Sequence, residues 1–194
     1  MIAALEQFPQ LTPTEYLEWE EKQEFKYEYV DGQISAMTGG TLNHSQISGN
    51  FYYILQTHLR GKGCRVLTSD AKVQIAAASN YVYPDISVTC DDRDKTATKF
   101  IDYPCLIVEV LSPSTEAYDR WEKFNLYRLS DALQDYVLVD TDRIEVALYS
   151  KNDQGKWEII RYVAGDLIEL KSINLTFPIE QVFEGIIFAP AAES

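Results

Sequence analysis

The chain has 194 residues, 46% of them hydrophobic and 24% charged, with a net charge of −13. That composition excludes a disordered or fibrous chain and fits one globular domain. No apolar run approaches the ~18–20 residues of a membrane-spanning helix. MIAALEQFPQ has neither a basic start nor a small-residue cleavage site, so a cytoplasmic protein without a secretory leader is expected. The charge is unevenly spread. Residues 1–31 hold eight acids and two lysines, whereas residues 32–69 hold no acid and three bases, Arg60, Lys62 and Arg65. The overall balance argues against tight, sequence-blind binding of nucleic acid, but the acid-free segment offers a face for phosphate contacts. Cys64, Cys90 and Cys105 are odd in number, far apart and without a CxxC. Reduced thiols in or near strands are expected, not metal ligands.

Thr12-Pro-Thr-Glu opens a helix with a hydroxyl cap, a proline in the first turn and acids at the positive end. Phe25 to Val30 and Gln33 to Thr38 read as strands joined by Asp31-Gly32, a hairpin turn signal. Gly39-Gly40 breaks the pattern. A helix then runs from Asn43-His44 to about Arg60, with Ile47, Phe51, Ile54, Leu55 and Leu59 as its apolar stripe. His44 sits in the first turn, where the helix end should lower its pKa and keep the imidazole neutral. His58 is expected on the surface. Gly61-Lys-Gly is a turn without the spacing of a phosphate-binding loop. Cys64 to Leu67 and Ala71 to Ala76 read as two further strands.

The stretch from Tyr83 to Tyr127 carries the chemistry. Asp85 follows Pro84 at the mouth of a β-type run, Ile86-Ser-Val-Thr. Leu106 to Leu111 reads as a buried strand, apolar except for Glu109. A carboxylate inside such a run is costly to bury without a partner, and a second one nearby worsens the conflict. Neither acid has an evident charge partner in its own strand, and a shared divalent cation would resolve this. Oxygen donors suit Mg²⁺ or Mn²⁺ at about 2.0–2.1 Å. Ser112-Pro-Ser-Thr starts a helix near residues 115–129. On it Asp119, Lys123 and Tyr127 share one face by their spacing of four, with Ala117, Trp121, Phe124 and Leu126 expected on the buried side.

Within the same stretch, Asp91-Asp-Arg-Asp-Lys is a charged loop without the pattern of a calcium loop. Asp135 to Asp140 reads as a buried strand. Ile144 to Tyr149 and Trp157 to Tyr162 read as an antiparallel pair joined at Asp153-Gln-Gly155, and Leu167 to Leu170 with the Phe177-Pro178 region finishes the fold. A central sheet with two helices makes an α/β sandwich.

YPDISVTC, PCLIVEVLSPST and EAYDRWEKFNLY, taken in order, resemble the Uma-type restriction endonuclease family of bacteria, within the PD-(D/E)XK nuclease superfamily. EYVDGQI, the helix start at His44 and DYVLVD match it too, so the resemblance spans roughly residues 11–182. It implies one domain over residues 1–194, a restriction endonuclease-like α/β/α sandwich with a central mixed sheet and extra β elements at both ends. It also implies a Mg²⁺-dependent endonuclease (Mn²⁺ substituting) acting on DNA. Asp85 and Glu109 would hold the metal with the backbone carbonyl of Val110, and Lys123 would serve the attacking water. The superfamily's lysine lies two residues after the Glu, where this chain has Leu111; the family places it on the next helix, at Lys123. Glu28 is then either an acid near the metal or an ordinary hairpin residue, and His44 either a contact to phosphate or to a metal-bound water, or a structural histidine.

Three functions compete. In the first, the chain is that endonuclease, a homodimer because cutting both strands takes two sites. In the second, it is a catalytically silent nuclease fold that binds nucleic acid or a protein partner, consistent with its acidity. In the third, Ser112 is a nucleophile with His44 as base, though no nucleophile-elbow motif surrounds it. Lys72, on the strand before Asp85, is the rival to Lys123 for the chemical role.

Overall fold

Thr12 caps the first helix as its sequence predicts: its hydroxyl accepts from the Glu15 amide, and the Glu15 carboxylate accepts from the Thr12 amide in return, a reciprocal box that satisfies two orphan donors. This is α1 (Pro13–Glu20). The computed structural model describes residues 8–37, 39–75, 79–112 and 116–188. The strand ends expected at Thr38 and Ala76, and the helix-start residues Pro113 to Thr115, lie outside those residues. After α1 come β1 (Tyr27–Val30) and β2 (Gln33–Ala36). Asp31 and Gly32 join them with φ of +49° and +82°, the two positive values that a type I′ turn demands. Then follow α2 (Leu42–Leu59), β3 (Arg65–Thr68), β4 (Lys72–Ile75), β5 (Asn80–Val82), β6 (Ile86–Thr89), β7 (Phe100–Ile101) and β8 (Leu106–Val110). A helical segment of residues 116–127, ending in α3 (Phe124–Tyr127), leads to β9 (Asp135–Val139). The chain finishes with β10 (Glu145–Lys151), β11 (Trp157–Val163), β12 (Leu167–Leu170) and β13 (Leu175–Pro178).

The strands form a six-stranded mixed sheet, β11-β10-β9-β8-β6-β3, a five-stranded sheet, β2-β1-β5-β4-β7, and the hairpin β12-β13. In the large sheet β8 and β9 run parallel and the other pairs antiparallel. A parallel pair needs a crossover, and residues 116–127 supply it. Alternation in β8 then sorts its side chains. Leu106, Val108 and Val110 face α2, packing with Ile47, Phe51 and Leu55. Ile107 and Leu111 face the other way, toward Leu126 and Tyr127 and toward Val73 and Val82 of the five-stranded sheet. Glu109 shares this second face by its register in the strand.

The crossover corrects the amphipathic expectation. Trp121 is 70% exposed and Ala117 is exposed too, whereas Asp119, Lys123 and Tyr127 are buried; Phe124 and Leu126 do pack against the core as expected. The polar face points inward because it meets Glu109 there. Tyr118–Lys123 also winds as a π-helix, whose i→i+5 bonds put more than four residues in a turn. Positions 119, 123 and 127 therefore stack nearly above one another.

A second correction concerns the cysteines. Cys64 and Cys90 form a disulfide, with Cα atoms 4.1 Å apart. The β3–β6 ladder pairs Arg65 with Thr89, so one step further sets the two cysteines opposite each other. A pairing 26 residues apart in sequence follows from register, which spacing alone does not reveal. Cys105 stays free and half-buried, its thiol pushed up to about 11 by burial. His58, expected on the surface, is half-buried against the carbonyl of Ile173 at 3.0 Å. Gly49 sits in the middle of α2, where a Cβ would meet nothing within 4 Å, although glycine costs a helix interior roughly 1 kcal/mol relative to alanine. Opening the disulfide should cost about 3 kcal/mol through the freed 26-residue loop. Urea unfolding of the Cys64→Ser, Cys90→Ser double variant checks this; a midpoint equal to the parent's would mean the bridge does not form in solution.

Candidate active site at the junction of the two sheets

Pro84 is the corner at which the chain leaves the five-stranded sheet and enters the six-stranded one. Tyr83 precedes it and Asp85 follows it. The β6–β8 ladder pairs Ile86 with Val108, so Asp85 falls opposite Glu109. The two strands close on each other: the Asp85 amide donates to Glu109 Oε2 at 3.3 Å, and the Val110 amide donates to Asp85 Oδ2 at 2.7 Å. On the other side of the corner, Tyr29 pairs with Tyr81, and the Glu28 carboxylate accepts from the Tyr83 amide at 3.0 Å. Glu28 is buried at this junction, not on the outside of the hairpin.

Lys123 enters from the crossover and joins these pieces. Its Nζ lies 3.1 Å from Glu109 Oε1, 3.3 Å from Glu28 Oε1 and 3.6 Å from Asp119 Oδ1. Tyr127 adds a hydroxyl donor to Glu109 Oε1 at 2.9 Å. Glu109 therefore does have a charge partner; it lies on the following helix, where a reading confined to the strand does not find it. Burial opposes the charge on both partners. For Glu109 it dominates, and with the carboxylates of Asp85, Asp119 and Glu28 it holds the group above the ordinary range in spite of Lys123. For Lys123 burial pulls downward, but Glu109, Glu28 and Asp119 together keep it protonated well above the usual lysine range.

His44 departs from expectation. Its Nε2 is 3.2 Å from Asp85 Oδ2. That hydrogen bond outweighs the desolvation that pulls the other way and, with the charges of Asp85 and Asp119 and a bond to the Val110 backbone, raises the imidazole pKa. The carboxylate thus overrides the helix end. Gly40 makes the arrangement possible, because a Cβ there would lie 2.6 Å from His44 Cγ. These groups line a cleft of about 600 Å³, walled by the β1–β2 hairpin and by Tyr118 and Glu122 of the crossover.

The other expected site residues lie elsewhere. Lys72 is buried but bound to Glu20 Oε2 at 2.8 Å, under the rings of Tyr16 and Tyr83; it fastens α1 to the sheet. Arg65 donates to the carbonyls of Asp94 and Ala97 at 2.8 and 3.1 Å, bracing a loop. Arg60 and Lys62 are exposed just past the C-terminal end of α2, roughly 24 Å from His44 at about 1.5 Å per residue. None of the three bases lines the cleft. The Asp85–His44 pair and the Tyr83 amide bond to Glu28 leave no trace in local sequence, since each joins segments more than 40 residues apart.

A mixed sheet with facing Asp and Glu at its antiparallel step, and a lysine returning from the crossover, has the parts of a nuclease-like fold. The chain belongs to the Uma2 family, described as "Putative restriction endonuclease", whose model matches residues 13–180. A crystal structure of a "putative nuclease belonging to DUF820" from Anabaena variabilis shares the fold, with a TM-score of 0.73 and 22% identity over 91% of this chain and 99% of that one. Two uncharacterized proteins of Synechocystis sp. are similar in sequence. One, slr1290, is 54% identical over 181 residues, covering 93% of this chain and 95% of its own length. The other, sll1609, is 31% identical over 163 residues, covering 83% and 92%. No helix among the described residues is long and apolar enough to cross a membrane.

In metal-free protein, NMR titration of the His44 ring should give a midpoint above the ordinary 6.5, and Asp85→Asn should lower it. The sign follows from linkage: a raised histidine pKa adds stability that is complete below about pH 6.5 and lost as pH rises through the folded-state value. A midpoint unmoved by Asp85→Asn would refute the pair.

Proposed function

We propose that the protein is a metal-dependent nuclease that hydrolyses phosphodiester bonds in DNA. The observation that carries this reading is the convergence of four carboxyl groups on one cleft. Glu28, Asp85, Glu109 and Asp119 meet there around Lys123 and His44. Once Glu109 has lost its proton the acids outnumber the bases, and the donors are hard oxygens suited to a divalent cation, Mg²⁺ or Mn²⁺. Among the described residues no three acidic, histidine or cysteine side chains could hold a metal by themselves. The fit therefore rests on Asp85 and Glu109, the Val110 carbonyl and retained water, in keeping with the reluctance of Mg²⁺ to dehydrate. When bound, such an ion would lower the pKa of a water and offset charge building on the phosphate.

The chain's own groups divide the remaining work. Lys123, held protonated by three carboxylates, acts as a fixed positive charge toward the phosphate and not as a base. Tyr127 and Asp119 fix its position and that of Glu109. His44 presents a second hydrogen-bond donor at the same opening, and Glu28 helps hold the lysine in place. A homodimer would give two such sites for the two strands of a duplex.

One observation favours the silent alternative: Glu109 Oε1 already accepts from both Lys123 and Tyr127, so the cluster is self-sufficient without a metal. Cleavage of supercoiled DNA with Mg²⁺ or Mn²⁺, with Asp85→Asn as control, separates the two. Lys123→Met should lower the rate about a hundredfold, the scale of one preorganised electrostatic donor, while Mn²⁺ still raises the melting temperature; Lys72→Met should not slow the reaction. If the two lysines exchange these phenotypes, the assignment of Lys123 is wrong.

Metal affinity should also rise with pH. Glu109, its carboxyl raised to about 8 by burial, must lose its proton to serve as a ligand, so affinity climbs from pH 6 toward pH 9. Calorimetry in buffers of different ionisation enthalpy would show the released proton. Affinity flat across this range, or retained in Glu109→Gln, would remove Glu109 from the ligand set.

A further inference from the structure

We propose that a groove beside the cleft holds one or two unpaired nucleotides of the strand being cut, so that the enzyme acts on single-stranded or locally opened DNA. This rests on the nuclease reading above. The groove, about 660 Å³, runs between the segment before β1 and the outer face of α2, and it shares Met37, Gly39, Gly40, His44 and Asp85 with the cleft. The two are therefore one continuous channel past the candidate reaction centre. A cavity of that volume suits a drug-sized ligand and not a duplex.

Its chemistry fits a nucleotide. Phe25 on its wall is 66% exposed and belongs to none of the packed apolar clusters, leaving its ring available for a base to stack on. Lys26 lies beside it, its Nζ bonded to the Ser69 carbonyl at 2.9 Å and to Asp70 at 2.7 Å. Asp70 is 87% exposed, and an exposed pair is weak enough to exchange for a phosphate. The cleft is lined by Asp31 and Glu122 in addition to the candidate ligands, whereas the groove adds a single further acid, Glu24, beside Lys26. The strand should therefore leave through the groove, where Phe25 offers a ring to stack on. Gly49 supplies a separate indication. Its helical position disfavours glycine, no neighbour requires its lack of a side chain, and the space it leaves open is the groove itself.

The test uses a short fluorescein-labelled oligothymidylate, and the same sequence as a blunt duplex, bound with Ca²⁺ in place of Mg²⁺. Hydrolysis of bis(4-nitrophenyl) phosphate, small enough to need only the cleft, is measured alongside. Phe25→Ala and Gly49→Phe should each weaken single-strand binding tenfold or more, with melting temperature and small-ester hydrolysis unchanged. Gly49→Ala should bind like the parent, which excludes a merely structural effect of losing glycine. Parental binding in both Phe25→Ala and Gly49→Phe, or duplex bound as tightly as single strand, overturns the groove. If the small ester is hydrolysed in that case, the nuclease reading stands without it. If the ester is untouched but Gly49→Phe abolishes oligonucleotide binding, the groove stands and the hydrolytic reading falls.

Discussion

A lysine ammonium buried among three carboxylates is the constraint on which the rest of this structure depends. Taking charges out of water costs several kcal/mol per ion, and only close, fully hydrogen-bonded geometry recovers it. Lys123 obtains that geometry from three separate parts of the chain: Glu109 on β8, Glu28 on β1 and Asp119 one turn back on its own helix. Each of these must arrive in register. The π-helical winding of residues 118–123 belongs to the same requirement, because it aligns positions 119, 123 and 127 more closely than an α-helix would. Tyr136, stacked within the same core, donates to the Asp119 carbonyl at 2.8 Å and holds this turn from below.

The cluster also explains how two sheets become one site. Tyr83, just past the end of β5, has its amide bound by Glu28, and β6 begins after Asp85, whose side chain is bound by the Val110 amide. Pro84 between them has no amide hydrogen to satisfy, so the chain can turn from one sheet to the other without an orphaned donor. Charges that would be unfavourable singly are thus gathered where backbone amides from both sheets face them. The comparison of the two buried lysines is instructive. Lys72 has one carboxylate and a cage of tyrosine rings and no share in the cleft, whereas Lys123 has three carboxylates and lines it. Burial is common to both; the surplus of acid is what distinguishes the candidate site from a fastening.

Much of this was legible in the linear sequence. The alternation and apolar runs of β6, β8, β9 and the β10–β11 pair are local properties of consecutive residues, as are the Thr12 cap and the Asp31-Gly32 turn. Asp85, Glu109 and Lys123 stood out because each is an exception to its surroundings, a charge placed where an apolar residue or a bland helix face would be expected. The spacing of Asp119, Lys123 and Tyr127 likewise fixes a shared face whatever the helix packs against. Family resemblance suggested the roles proposed for them, and the family itself was recoverable from three short motifs in order.

Other features were decided only by tertiary structure. Which face of the crossover is buried depended on Glu109 waiting beneath it, so Trp121 lies outside and Lys123 inside, against hydrophobic ranking. His44 is governed by Asp85, 41 residues away in sequence, and not by the helix end next to it. Cys64 meets Cys90 through strand register, and Arg65 is spent on loop carbonyls instead of phosphate. In each case the determining partner is distant along the chain. Local sequence fixes propensity and periodicity, but the pKa, pairing and exposure of a side chain are set by whatever the fold brings within a few ångströms of it.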